Sequence, residues 1–165
     1  MAARVLVAYA SKLGSTAEIA ESIATTLRVA GLDALALSVR NVPDLAPFDA
    51  VILGSALYAA HWQRDANRFV SRHREALKER PVWLFSSGPL DRRLAAADLP
   101  PTPQVAEMTA ELAPRGHRTF GGRLDADAEG LDPHLLATHP IGDFRDWAVI
   151  TDWAASIAVE LLAAD

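Results

Sequence analysis

The chain contains no cysteine. Disulfides, thiolate metal sites, iron–sulfur ligation and thiol catalysis are excluded at once. Any redox chemistry must therefore be carried by a cofactor. Lysine is scarce, occurring only at Lys12 and Lys78, and arginine supplies the rest of the basic set. The net charge of −5 argues against a nucleic-acid partner, which favours a strongly basic protein. No apolar run reaches the roughly 20 residues that a membrane-spanning helix needs, so no integral membrane segment is expected. The first residues lack a basic region followed by an apolar run and a cleavage site, so no signal peptide and a cytoplasmic location are expected. The five histidines, His61, His73, His117, His134 and His139, show no zinc-ligand spacing, and no metal is expected. A G-x-S-x-G nucleophile elbow is also missing.

What remains is an ordinary globular composition, with 50% hydrophobic and 22% charged residues in 165. That length suits a single domain over 1–165, and no repeat or linker interrupts it. Continuous apolar runs at Arg4–Ala10, Ala50–Leu53 and Val82–Phe85 read as strands buried on both faces. Leu32–Val39 reads as a strand, and a fifth is expected around Arg118–Leu124, where Gly121-Gly122 signals a bulge or a close backbone approach. Helical stripes cover Thr16–Ala30, Asp65–Lys78, Thr102–Leu112 and Phe144–Ala163. Ser15 with Glu18 matches a capping box, and Gly31 suits a helix end. The last helix should bury Trp147, Ile150, Ala154, Ile157 and Leu161. Alternation of this kind predicts an α/β protein with a five-stranded parallel sheet and helices on both faces. Ligands of such sheets bind beyond the carboxyl ends of the strands, where strand order reverses.

Three loops fall on that edge. The first, Ser11, Lys12, Leu13, Gly14, Ser15 and Thr16, joins a strand to a helix. It offers hydroxyl donors, one permissive glycine and the free amides of a helix start, a combination that suits a phosphate. It is neither G-x-x-x-x-G-K-S/T nor G-x-G-x-x-G, so a nucleoside triphosphatase or a nicotinamide fingerprint is not indicated. The second, Ser55, Ala56, Leu57 and Tyr58 after Gly54, brings a flat aromatic face. Trp62 either covers the same ligand or packs on the following helix. The third, Ser86, Ser87, Gly88 and Pro89, is small enough for close backbone approach. His61 sits beside the second loop as a donor or as a surface residue. Arg92 and Arg93 beside the third loop read as a solvated pair or as a contact for an anion. No residue stands out as catalytic.

The first loop resembles S/T-x-x-G-S/N-T, the phosphate-binding signature of flavodoxins. Gly54 and Tyr58 likewise hold the positions of the flavodoxin glycine and ring-stacking aromatic. The resemblance covers nearly the whole chain. It implies a three-layer flavodoxin-like fold with strand order 2-1-3-4-5, for which flavodoxin is the standard example, and a non-covalently bound FMN. The third loop would then face the pyrimidine edge of the flavin. Gly54–Leu77 and Phe144-Arg145-Asp146-Trp147 resemble, more narrowly, the bacterial menaquinone-dependent protoporphyrinogen oxidases. Members with that activity carry a long basic and apolar insertion late in the chain, whereas Asp125–Gly142 is short and acidic at its start. The implied function is an FMN-dependent oxidoreductase passing electrons between the flavin and a small redox substrate, a quinone or a porphyrinogen. The alternative is a non-enzymatic electron carrier for redox proteins. A signalling receiver domain shares the strand order but needs an aspartate ending the third strand, where Gly54 stands. A relative binding some other phosphate ester is the remaining reading.

Overall fold

The structure, a computed structural model, describes residues 2–88, 97–125 and 141–164. Pro89, Arg92, Arg93, His134, His139 and most of the Asp125–Gly142 segment lie outside them. The chain begins with β1 (Arg4–Ala10), α1 (Ser15–Val29) and β2 (Asp33–Ser38). A 3₁₀ turn at Val39–Asn41 leads toward β3 (Ala50–Tyr58), β4 (His61–Trp62), α2 (Arg64–Arg72) and α3 (Arg74–Lys78). Then come β5 (Val82–Ser87), α4 (Pro103–Leu112), β6 (Gly116–Phe120), β7 (Arg123–Leu124), β8 (Gly142–Asp143) and α5 (Trp147–Ala163).

The main sheet runs β2-β1-β3-β5-β6, with every neighbour along that path parallel. This is the expected order, and the reversal falls between β1 and β3. Successive residues of the central strands feed opposite layers, as a two-residue period demands. Val5 and Val7 join Ile19, Ile23, Leu27, Ile150 and Ile157 beneath α1 and α5. Leu6 and Ala8 join Phe69, Leu77, Val105 and Met108 beneath α2, α3 and α4. That double burial is why β1, β3 and β5 read as unbroken apolar runs. The edge strand β2 alternates instead.

Several expectations need correcting. The third strand does not stop at Leu53; Gly54 and Ser55 stay paired with β1 and β5, Ala56 with β5, and Leu57 and Tyr58 then pair antiparallel with β4. The helix expected over Asp65–Lys78 is two helices, broken at His73, whose backbone leaves the helical region at φ −109° and ψ 19°. The fifth strand ends at Phe120, and Arg123–Leu124 leaves the main sheet to pair with Gly142–Asp143. The last helix starts at Trp147 because Asp146 caps it, accepting from the amides of Ala148 and Val149. Trp147 is 39% exposed rather than part of the buried stripe. The capping box of Ser15 and Glu18 is absent: Gly14 is the N-cap, no side chain caps it, and Ser15 is already helical.

Gly54 has a packing role. It pairs across the sheet with Phe85, and a Cβ there would overlap the Phe85 ring. That ring packs with Phe120 and Trp153 in an aromatic cluster, with centroids 5.5–6.2 Å apart. Gly54→Ala should therefore overpack the layer. We expect a loss of about 1–3 kcal/mol in urea unfolding; an unchanged midpoint would show that the ring yields at no cost.

Candidate functional site

Strand β1 enters the carboxyl edge of the sheet at Ala10, and the chain must turn sharply to start α1. Gly14 makes the turn in the left-handed region, at φ 90°, where a side chain is disfavoured. Its amide donates to Ser11 Oγ at 3.0 Å, which folds the loop back on itself. Thr16 lies in the first helical turn and is 1% exposed, yet its Oγ1 has no hydrogen-bond partner. The first amides of a helix likewise have no partner within it. Unpaired hydroxyl and amides at a positive helix end form an anion cradle.

The cradle opens into a cleft of about 350 Å³, within the range of roughly 300–1,000 Å³ typical of small-molecule sites. The structure brings Ser11, Lys12, Leu13, Ser15 and Thr16 together there with Ala56, Leu57 and Tyr58, and with Ser87 and Gly88. Gly14, also expected there, turns the loop and is not among the lining residues. Ser55 and Ser86, both expected among these residues, do not line the cleft. Ser55 is fully buried, where its Oγ donates to the Ala56 carbonyl and accepts the Gln63 amide. Ser86 is buried beneath the cleft, and its Oγ accepts from Trp62 Nε1 at 2.9 Å. Both serines are consumed in bracing β3, β4 and β5. Trp62 is a packing residue, 3% exposed. His61 is exposed, with Nδ1 2.8 Å from the Ala59 carbonyl.

Lining residues also come from places the sequence did not mark. Gln63 follows the β3–β4 hairpin, and Gly122, Arg123 and Leu124 arrive after β6. Gly121-Gly122 was the available signal: a Cβ at Gly122 would stand 3.3 Å from the Gly88 Cα, so these two loops meet backbone to backbone. Arg123 Nη1 donates to Glu18 at 2.6 Å, and Arg123 Nε lies 3.2 Å from Asp125. Arg145, with its side chain only 3% exposed, donates to Asp143, to Glu18 and to the Ser15 carbonyl at 3.3 Å. The two arginines thus tie the β7–β8 ribbon to the first turn of α1. The Arg145 hydrogen bond holds the Asp143 carboxyl below its usual range, and Asp143 in turn raises Arg145. At the cleft mouth Tyr58 is 39% exposed, and the Lys12 ammonium stands 5.4 Å from its ring centroid.

A phosphate ester carrying an apolar ring system fits these residues: the buried Thr16 hydroxyl awaits an acceptor, and the walls beyond it are Leu13, Leu57, Tyr58 and Leu124. Among the described residues no group of three His, Cys, Asp or Glu stands close enough to share a metal ion.

A flavodoxin domain family model matches residues 6–130. The chain belongs to the flavodoxin domain family. Membership implies a non-covalently bound FMN. Among solved structures, a flavodoxin from the domain Archaea is 16% identical, with 96% of this chain and 98% of that one covered and a TM-score of 0.67. A cysteine-to-serine mutant of flavodoxin from Pseudomonas aeruginosa is 18% identical over 96% and 98%, with a TM-score of 0.63. The rubredoxin oxygen:oxidoreductase of Desulfovibrio gigas matches at 15% identity and a TM-score of 0.66, covering 97% of this chain but 36% of that one. No curated protein sequence matches this chain. These likenesses show the flavodoxin fold. Among the described residues no helix is long and apolar enough to cross a membrane.

The hairpin beside the cleft, the buried His73 and the partly buried His117 can each be tested. The hairpin tip Ala59-Ala60 has φ 48° and 66°, the backbone of a tight β-turn that normally takes Asn-Gly. Ala60→Gly is expected to stabilise the protein by about 1 kcal/mol in thermal or urea unfolding, since a left-handed alanine costs roughly that much. A loss of stability would show that the turn carries no strain.

Burial pushes His73 and His117 below their ordinary value of 6.5, with Arg72 adding to the effect on His73 and Asp98 opposing it on His117. Below about pH 6.5 the unfolded chain then binds protons that the folded chain refuses, so stability present at neutral pH falls as pH falls. Asp143 acts with the same sign but only lower, as pH drops through the carboxylate range. We expect the urea midpoint to decline from about pH 7 to about pH 5, and less steeply in His117→Gln; identical slopes would remove His117 from the account.

Proposed function

We propose that the protein binds FMN in this cleft and passes electrons between it and a small redox substrate that reaches the open mouth beside Tyr58. The observation that carries the reading is the unpartnered, buried Thr16 hydroxyl at the start of α1. Ser11, Ser15, Thr16 and the Leu13–Thr16 amides would hold the phosphate. Tyr58 and Leu57 would flank the ring from the β3 side, with Ser87 and Gly88 approaching its polar edge through backbone groups. The cofactor, when bound, supplies the electron chemistry, and the protein supplies binding, orientation and access. Leu13, Leu57 and Leu124 exclude water and make negative charge costly against the walls. Among the described residues Lys12 and Arg123 are the cationic groups lining the cleft, and Arg123 is partly neutralised by Glu18 and Asp125.

The narrower resemblance to menaquinone-dependent protoporphyrinogen oxidases, carried by Gly54–Leu77 and Phe144–Trp147, makes a quinone the first substrate class to assay and a porphyrinogen the second. Catalytic turnover of a soluble quinone would mark an enzyme. A cofactor that exchanges electrons only with redox proteins would mark a carrier.

Cofactor binding tests the assignment directly. Thr16→Ala is expected to raise the FMN dissociation constant by about 10- to 100-fold in a flavin-fluorescence titration, the equivalent of one hydrogen bond to a charged group at about 1.5–3 kcal/mol. Binding of riboflavin, which lacks the phosphate, should change little, and Thr16→Ser should restore most of the affinity for FMN. Equal FMN affinity in wild type and Thr16→Ala would overturn the assignment of the cradle.

A further inference from the structure

Helix α2 buries Ala66, Phe69 and Val70 against the sheet. Its opposite face carries Arg64, Arg68 and Arg72, all exposed. Residues four apart share a helix face, so the three guanidiniums form one row about 12 Å long at 1.5 Å per residue. Arg40, from the 3₁₀ turn, stands alongside, with its Nε 2.6 Å from Asp65. Asp65 therefore answers Arg40, while Asp44 acts on His73. Among the described residues Arg64, Arg68 and Arg72 have no carboxylate within ion-pair distance. Like charges at this spacing destabilise an isolated helix. The row is thus a local concentration of positive charge, held at some cost, on a chain whose net charge is −5.

The row forms a ridge between two shallow grooves. One holds Trp62, Asn67 and Ser71; the other holds Val39, Arg40 and His73; Arg68 and Arg72 border both. The ridge also adjoins the cleft. Gln63, which lines the cleft, immediately precedes Arg64, and Trp62 pairs through its backbone with Leu57 of the cleft wall.

We propose that the outer face of α2 is the docking surface for the acidic patch of a protein electron partner. Charge complementarity selects the occupant. Arginine forks recognise carboxylates in pairs, and a row of this length spans several of them, as an acidic helix or loop presents them. A single small anion has no enclosed cavity here to hold it. A long nucleic acid would run beyond the patch onto a negatively charged protein. The inference rests on the FMN reading for the electrons such a partner would exchange, but the docking itself is independent of the cofactor.

The test uses the full chain, with and without FMN, and a fluorescently labelled plant-type ferredoxin as an acidic redox-protein probe, followed by anisotropy. We expect binding at low ionic strength that weakens about tenfold or more as salt is raised to a few hundred millimolar. The triple variant Arg64→Glu, Arg68→Glu, Arg72→Glu should lose about tenfold or more in affinity and most of the salt dependence, whereas Lys78→Glu should change affinity by less than about twofold. The neutralising set Arg64→Gln, Arg68→Gln, Arg72→Gln serves if reversal prevents folding. FMN affinity, measured separately, should be unchanged in either set, so failure of the cofactor reading and failure of docking appear in different assays. Unaltered ferredoxin binding in the arginine variants would overturn the proposal. So would tighter binding of duplex DNA or of phosphatidylglycerol vesicles through the same arginines.

Discussion

The site depends on how the chain passes from β1 into α1. A left-handed residue is required there, and Gly14 supplies it. The first helical amides have no partner within the helix, and the Thr16 hydroxyl is buried without one. A buried polar atom in that position is costly in isolation, because burial removes water as an alternative acceptor. An arriving anion would relieve that cost, which is why the same feature suits the phosphate proposed for this cleft. Glu18 could be mistaken for the cap of this helix, but its carboxylate is committed elsewhere: Arg123 and Arg145 engage it and so tie a distant ribbon to the helix start. The charge network frames the cradle and leaves its donors free.

The sheet fixes what the cradle faces. Parallel pairing of β1, β3 and β5 brings Ala10, Ser55 and Ser86 to one level, so three loops leave the same edge side by side. Beneath them the hydroxyls of Ser55 and Ser86 are already satisfied. Ser55 braces Gln63, and Ser86 braces Trp62. A floor whose hydroxyls are spent internally is rigid and offers little to a ligand. The walls above it are largely apolar, with Lys12 and Arg123 as their charged members, and the Thr16 end carries an unpaired hydroxyl at a helix start, which suits an anion. Binding in such a site is oriented by a single polar end, with the remainder of the ligand held by surface burial.

Much of this was legible in the sequence. The order of strands and helices followed from apolar runs and helical stripes, because double burial of β1, β3 and β5 leaves no other pattern available. The first loop was legible because its chemistry is local: glycine, hydroxyls and a helix start are contiguous. What the sequence concealed depends on pairing at a distance. Ser55 and Ser86 read as cofactor-binding residues, since nothing in a one-dimensional reading shows that Gln63 and Trp62 claim their hydroxyls. Arg123 and Leu124 were read as the end of a strand, since only the crowding of Gly122 against Gly88 turns them into the cleft. The hairpin at Ala59-Ala60 carried no turn signal at all, because alanine is not a residue that announces a left-handed backbone. Its conformation is imposed by β4 pairing back onto β3.

That imposed hairpin bears on how the cleft works. Its strands are short, with two pairs in register, and its tip holds two residues in a disfavoured region. Tyr58 stands next to the tip, paired with His61, exposed, with the Lys12 side chain near its ring. Among the described residues the Tyr58 side of the rim is braced by a cation–π contact and a strained turn, while the floor is held by buried hydrogen bonds and aromatic packing. Local opening begins where few buried contacts oppose it. A loosely braced rim over a firmly packed floor places the first local opening on the Tyr58 side of the cleft, away from the anion cradle.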